Sequence, residues 1–227
     1  MPFHQKTLTD WHEALRSDKE SNVLIQELIE NCGLRNLESR IVFRSRTNLN
    51  SETITQEDFD SPAIEQQKNT FNRFQPFATN CLYVAGSEET AILETLPSVA
   101  KLKDIVFVSA LKIVKPLKML DMVNNISIVG EDDEIQWSYK PIFSPLFLNE
   151  DPVGITDTLK ISRLLSQRIY EHKIDGIIYP SRCDHLAKIK RRILSISPNY
   201  LIFGSPVKEG KLLFEIESVK KYRVGLI

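Results

Sequence analysis

NRFQPFATNCLYVAGSEETAILE, residues 72–94, is the stretch on which the reading of this chain turns. CLYVA at 81–85 is short and apolar, and the residues from Ser87 onward suit a helix, so the stretch reads as strand, turn and helix. Strand alternation sets Leu82 and Val84 on one face and Cys81, Tyr83 and Ala85 on the other. Ser87 suits an N-cap because its hydroxyl can accept from the free amides of the first turn, and Glu88 and Glu89 suit the positive end of the helix dipole. Pro97 closes the helix. Along it Glu89, Ile92, Leu93 and Leu96 share a mostly apolar face, whereas Ser87, Thr90, Ala91 and Glu94 form a smaller-residue face that another element or a ligand can approach. The unit brings Arg73, Tyr83 and Glu94 together, and Glu94 is its candidate catalytic acid.

At 227 residues the chain suffices for one sizeable domain with its own core. Lysine plus arginine number 29 against 30 for aspartate plus glutamate, so charge implies no attraction to nucleic acid or to an anionic membrane. Cys32, Cys81 and Cys183 are odd in number and widely spaced, which suits reduced thiols better than a disulfide framework. The start, MPFHQKTLTDW, lacks an apolar core of signal-peptide length, and no later run approaches the roughly 20 apolar residues of a bilayer span. The expectation is a soluble, cytoplasmic protein.

Residues 1–39 read as a helical extension, a brace or lid on a main domain of residues 40–227. Asp10 caps a first helix with Trp11, Ala14 and Leu15, and Glu13 completes a capping box. A second helix from Ser21 carries Leu24, Ile25, Leu28, Ile29 and Cys32 on one face, and Gly33 stops it. IVFR at 41–44 is a strand ending in Arg44, with Arg46 on the same side two residues later. Residues 47–70 are polar, anchored by Ile54, Phe59 and Ile64, and read as a loop folding over a cleft.

DIVFVSALK at 104–112 is apolar on both faces, as in a buried strand, which Pro116 and the following LKML end. Residues 124–134 add a short strand before an acidic turn, and 137–149 form a packed loop. A helix spans 156–172 with Leu159, Leu164, Leu165 and Ile169 as its stripe. Strands follow at 174–181 (IDGIIYPS) and 199–203 (NYLIF), with strand-like patterns at 212–217 and 222–226. Lys188, Lys190, Arg191 and Arg192 lie on a helix between the two strands and read as its solvated face.

Several chemistries lack their signatures. There is no GxxxxGK[ST] phosphate loop, no GxGxxG, no HExxH and no GxSxG nucleophile elbow. Cys183-Asp184-His185 is the nearest approach to a metal-ligand cluster and reads as chance juxtaposition, so no metal is expected.

Set together, FRSR at 43–46, NRF at 72–74, LYVAGSEETAILE at 82–94, DGIIYPSR at 175–182 and NYLIF at 199–203 resemble the RES domain family. The family is named for its Arg, Glu and Ser, and many members are toxins of toxin–antitoxin pairs that consume NAD. The resemblance covers about residues 40–205. It implies an α+β fold, a mixed α/β domain related to ADP-ribosyltransferases, with NAD as substrate in a cleft between sheet elements and an antitoxin as partner. Residue by residue it assigns the early strand arginine to Arg44, the loop arginine to Arg73, the tyrosine to Tyr83, the glutamate to Glu94, the serine to Ser181 and an asparagine to Asn199. Family members often have glycine before the loop arginine, where this chain has Asn72, and Gln75-Pro76-Phe77 replace the usual small polar residues after Phe74.

The chemistry asks for such residues on its own terms. Breaking the nicotinamide–ribose bond passes through an oxocarbenium-like sugar, which a carboxylate such as Glu94 can stabilise. Arg44 and Arg73 offer forked donors to a pyrophosphate, the Tyr83 ring can stack on nicotinamide, and Ser181 can bond a ribose or phosphate oxygen. Water as acceptor gives hydrolysis, phosphate gives phosphorolysis and a protein side chain gives ADP-ribosylation. The expectation is an NAD-degrading toxin. The alternatives are a protein ADP-ribosyltransferase or a toxin-like binding module without turnover.

Overall fold

The computed structural model describes residues 8–47, 49, 54–60, 74, 76, 79–95, 105–123, 126–131, 134–139, 155–181, 197–204, 207–208 and 211–223. In chain order these form α1 (Leu8–Arg16), α2 (Asp18–Cys32), β1 (Leu34–Leu37), β2 (Ile41–Thr47), a 3-10 turn (Gln56–Phe59), β3 (Cys81–Ala85), α3 (Glu88–Thr95) and β4 (Ile105–Ile113). There follow β5 (Leu117–Asp121), β6 (Ile126–Glu131), β7 (Glu134–Tyr139), α4 (Ile155–Glu171), β8 (Gly176–Pro180), β9 (Pro198–Phe203), β10 (Val207–Lys208), β11 (Lys211–Leu212) and β12 (Phe214–Arg223). Arg73, Leu96, Pro97, the rest of the 61–70 connection, residues 140–149 and the 182–196 segment with its basic cluster and Cys183-Asp184-His185 lie outside the described residues.

An eight-stranded sheet in the order β1-β5-β8-β9-β3-β2-β4-β12 makes this an α+β fold. Neighbours are antiparallel except β5 and β8. On one face α1, α2 and α4 bury Trp11, Leu15, Leu24, Leu28, Leu165 and Ile169 against Leu120, Ile177 and Leu201. Each such side chain removed from water contributes roughly 1.5–3 kcal/mol. The helices α1 and α2 therefore share their core with the sheet. The opposite face buries Val42, Leu82, Phe107, Met119, Tyr200 and Ile202, with Phe59 of the 3-10 turn packed among them. The alternation expected for 81–85 holds, since Cys81 and Tyr83 join the helical side and Leu82 and Val84 the other. No helix among the described residues is long and apolar enough to cross a membrane.

Several local expectations need correction. α1 already starts at Leu8, so Asp10 sits in its first turn instead of capping it. α2 starts at Asp18, with Ser17 as N-cap accepting from the Glu20 amide at 3.4 Å, and Ser21 is a buried residue inside it. Gly33 ends α2 at φ 82°, its amide bonded to the Ile29 carbonyl. Leu34–Leu37, read as part of the helical extension, is instead an edge strand, because past that left-handed glycine its backbone pairs with β5 from Leu34↔Leu120 to Leu37↔Leu117.

LKML opens β5 instead of closing β4. Leu117 and Met119 find one core and Leu120 the other, so the segment is buried on both faces. Residues 134–139 pair with β6 as a hairpin, so that part of the expected loop is strand. The two strand-like segments near the end merge into β12, paired along β4 with an irregularity between Ile216 and Ser218. The helix expected at 156–172 is α4, one residue earlier at each end.

One junction positions the site. β3 pairs along its whole length with β9, and β2 pairs with β4 from Ile41↔Lys112 to Thr47↔Val106. Between β2 and β3 the register consists of Phe43↔Ala85 alone. Beyond that rung the strands part, and the sheet is split.

Candidate active site

The split is a cavity of about 460 Å³. Arg44 to Arg46 form its β2 wall, Cys81 and Tyr83 to Ala85 its β3 wall, and Ala91, Glu94 and Thr95 of α3 lie over it. Tyr179 and Asn199 complete the lining. Because residues from both faces of the strands contribute, the cavity occupies the gap itself.

α3 reaches this position through its small residues. Thr90 and Ala91 are its buried side chains, while Glu89 is exposed and Ile92 and Leu93 are half-buried. The small-residue face, read from sequence as the one another element can approach, thus supplies the buried side chains. Small side chains let the helix backbone approach β2, where Ser45 Oγ donates to the Ala91 carbonyl at 2.5 Å and meets Thr95 Oγ1. Ser87 is the N-cap, its hydroxyl accepting from the Thr90 amide at 3.2 Å.

Glu94 comes from the last turn of α3, where the dipole disfavours a carboxylate. Two donors offset this. Ser181 Oγ donates to Glu94 Oε1 at 2.5 Å and Asn199 Nδ2 donates to the same oxygen at 2.8 Å. Ser181, directly after β8, is fully buried, and Asn199 on β9 is 6% exposed. Both are fixed by the sheet, so they define where Glu94 points. Among the described residues no hydrogen bond or ion pair engages Glu94 Oε2.

The cations arrive from the other side. Ser45 faces α3, so alternation turns Arg44 and Arg46 to the opposite face, both on one side as expected. Arg46 donates from Nη2 to the Asp60 carbonyl at 2.9 Å and from Nε to the Asp58 carbonyl at 3.3 Å, which ties the turn around Phe59 to β2. Arg44 is 6% exposed, and among the described residues its buried Nη1 has no hydrogen-bond partner. Burial first and the neighbouring Arg46 second pull its guanidinium well below the ordinary arginine value, against the weaker attraction of Asp60. A guanidinium stays charged in a protein, so its charge is held here at an energetic disadvantage that an anion in the cavity would relieve. Burial likewise pushes the Cys81 thiol up to about 12, which removes it as a nucleophile near neutrality.

Of the residues assigned from sequence, Glu94, Ser181 and Asn199 are joined by hydrogen bonds, and Arg44 and Tyr83 line the same cavity. Arg73 lies outside the described residues, although its neighbour Phe74 is fully buried beside the site, 5.4 Å between ring centroids from Tyr179. Tyr179 was not singled out from sequence. The available signal was alternation in IIYPS, which puts Tyr179 on the same side of the strand as Ser181.

Fold and site together define an α+β domain whose split sheet encloses a polar cavity between a buried arginine and a hydrogen-bonded helical carboxylate. The model of the RES domain matches residues 41–211, and the chain belongs to the RES domain family. No curated protein matches it. Among solved structures the chain is similar to the crystal structure of the M. tuberculosis MbcT–MbcA toxin–antitoxin complex, with a TM-score of 0.49 and 9% identity over 82% of this chain and 86% of that one.

Proposed function

We propose that this protein cleaves the nicotinamide–ribose N-glycosidic bond of NAD. The observation that carries the reading is the Glu94 carboxylate, held by Ser181 and Asn199 over a cavity whose other wall carries the underpaired Arg44 guanidinium. In this reading Arg44 takes the dinucleotide's phosphate charge on one side of the split, and Glu94 meets the nicotinamide ribose on the other. The glycosidic electron pair departs to the pyridinium nitrogen, which becomes neutral nicotinamide. Positive charge develops on the sugar, where Glu94 stabilises it by charge and holds a ribose hydroxyl. An acceptor oxygen then bonds to the anomeric carbon and loses its proton. Water yields ADP-ribose, and inorganic phosphate yields its 1-phosphate.

Family membership supports the further reading that the protein is a toxin whose NAD consumption a partner antitoxin restrains. The test is nicotinamide release from NAD by purified protein, with and without phosphate, beside Glu94→Gln. Loss of charge without loss of size should lower release by about 10²–10³-fold, the range for removing one preorganised electrostatic contact. Release that needs phosphate selects phosphorolysis. A folded wild-type protein that releases nothing under either condition overturns the proposal, and label from NAD appearing on a protein acceptor selects ADP-ribosylation.

A further inference from the structure

We propose that Tyr179 is a specificity-determining residue that holds the cationic pyridinium ring of the substrate and discriminates against its neutral, reduced form. The inference rests on the NAD-cleaving reading and adds to it a ring-binding wall separate from Tyr83. Register places this residue. Tyr179 pairs with Asn199, which pairs with Ala85 on its other side, so the three form one row across β8, β9 and β3. Tyr83 lies two rows along, in line with Leu201 and Ile177. Tyr83, Tyr179, Asn199 and Ser181 therefore share the side of the sheet from which Glu94 descends. Tyr179 stands between the two anchors of that carboxylate, beside Asn199 in register and two residues before Ser181. The substrate ring that meets it is the one whose bond to the sugar Glu94 serves.

The plane of Tyr179 is fixed from behind. The Phe74 ring is fully buried, 5.4 Å from the Tyr179 ring and inclined at 46°. Phe74 adopts φ 62°, a left-handed conformation that a bulky side chain rarely takes and that persists only where the surroundings enforce it. Tyr179 itself is half-buried and lines the cavity. An aromatic face attracts a cation in a site shielded from water. The pyridinium of NAD carries that charge before cleavage and loses it when nicotinamide departs, so the attraction favours substrate over product and acts on binding more than on the chemical step.

Binding of NAD and of NADH, whose nicotinamide ring is uncharged, to the Glu94→Gln protein measures this without turnover. Tyr179→Phe, which keeps the ring, should bind NAD within about twofold of its parent. Tyr179→Leu should weaken NAD about tenfold and NADH by less than about threefold, in line with cation–π strengths. With Glu94 intact, Tyr179→Leu should raise KM about tenfold and leave kcat within about threefold. Where Tyr179→Leu fails to fold, Phe74→Leu frees the ring plane and should weaken NAD about threefold relative to NADH. Equal loss of NAD and NADH, or no loss, overturns the proposal, as does a folded protein that binds neither. Selective loss of NAD binding in a protein whose wild type releases no nicotinamide upholds the ring site and overturns the cleavage reading alone.

Discussion

Ser181 Oγ lies 2.5 Å from Glu94 Oε1, a hydrogen bond between residues 87 positions apart that joins the end of β8 to the last turn of α3. The serine is fully buried. Its hydroxyl has no solvent alternative, and its effect on the carboxylate is orientation.

Ser181→Ala removes one of the two donors on Glu94 Oε1 and leaves Asn199 in place. A hydrogen bond to a charged group is worth about 1.5–3 kcal/mol, and part of that loss is recovered by solvent at a carboxylate this exposed. Under the proposed function, kcat for nicotinamide release should fall about tenfold with KM little changed, as steady-state kinetics would show. An unchanged kcat would mean that Asn199 alone orients Glu94.

Asn199→Asp replaces a donor 2.8 Å from Glu94 Oε1 with a second carboxylate. Like charges at that distance resist joint ionisation, so one of the pair takes up its proton at a higher pH than an isolated carboxylate. Activity that needs ionised Glu94 is then lost earlier on acidification. The acid limb of the pH–rate profile should move upward by a unit or more. A profile that superimposes on the wild type would place the shared proton on the introduced carboxyl, which is the more buried of the two, and leave Glu94 ionised.

Arg44→Met tests whether the buried guanidinium serves a ligand and not the fold. Its Nη1 has no partner among the described residues, so an apolar side chain of similar length removes a desolvation penalty. Thermal unfolding should show a gain of about 1–2 kcal/mol, while NAD binding measured by calorimetry weakens at least tenfold. A destabilised Arg44→Met protein would show that the charge has a structural counterpart.

Cys81 gives a prediction with a defined pH window. Its thiol value is raised from 9.0 to about 12 in the folded protein because burial disfavours the thiolate. The unfolded chain loses this proton first, so the contribution to stability is fully present below about pH 9 and disappears as pH rises from there to about 12. At pH 8 iodoacetamide should modify Cys81 far more slowly in the native protein than in urea, followed by mass spectrometry of the peptide. Fast native labelling would place Cys81 in solvent contact.

Local signals in the sequence were strong where one segment determines its own conformation. The alternation of 81–85, the Ser87 cap and the Gly33 stop are each set by a few neighbouring residues. Leu34–Leu37 and LKML were not legible as strands. Four or five residues show too little periodicity, and both segments become strands only because β5 lies between β1 and β8, an arrangement set by distant pairing. The same reason hid the contacts of Glu94. Ser181 and Asn199 were assigned through family resemblance, but spacing along the chain does not place them within hydrogen-bonding distance of a residue 87 and 105 positions earlier. Tyr179 depends on that register too, since its pairing with Asn199 sets it beside the site. The small face of α3 was seen as approachable, yet its use as the buried face follows from how closely Ser45 draws the helix to β2.

The lone rung between Phe43 and Ala85 makes the eight strands two plates joined at a seam. Each plate has its own ladders, while side chains such as Val42, Phe107, Leu82 and Ile202 pack in one core that runs across the seam, so the two are held together by packing and not by strand pairing. Arg44 travels with one plate, Tyr83 and Asn199 with the other, and α3 is stitched to the first through Ser45 while Glu94 is tied to the second through Ser181 and Asn199. The glutamate thus works as a clasp, one carboxylate oxygen bridging from the helix on the first plate to two donors on the second.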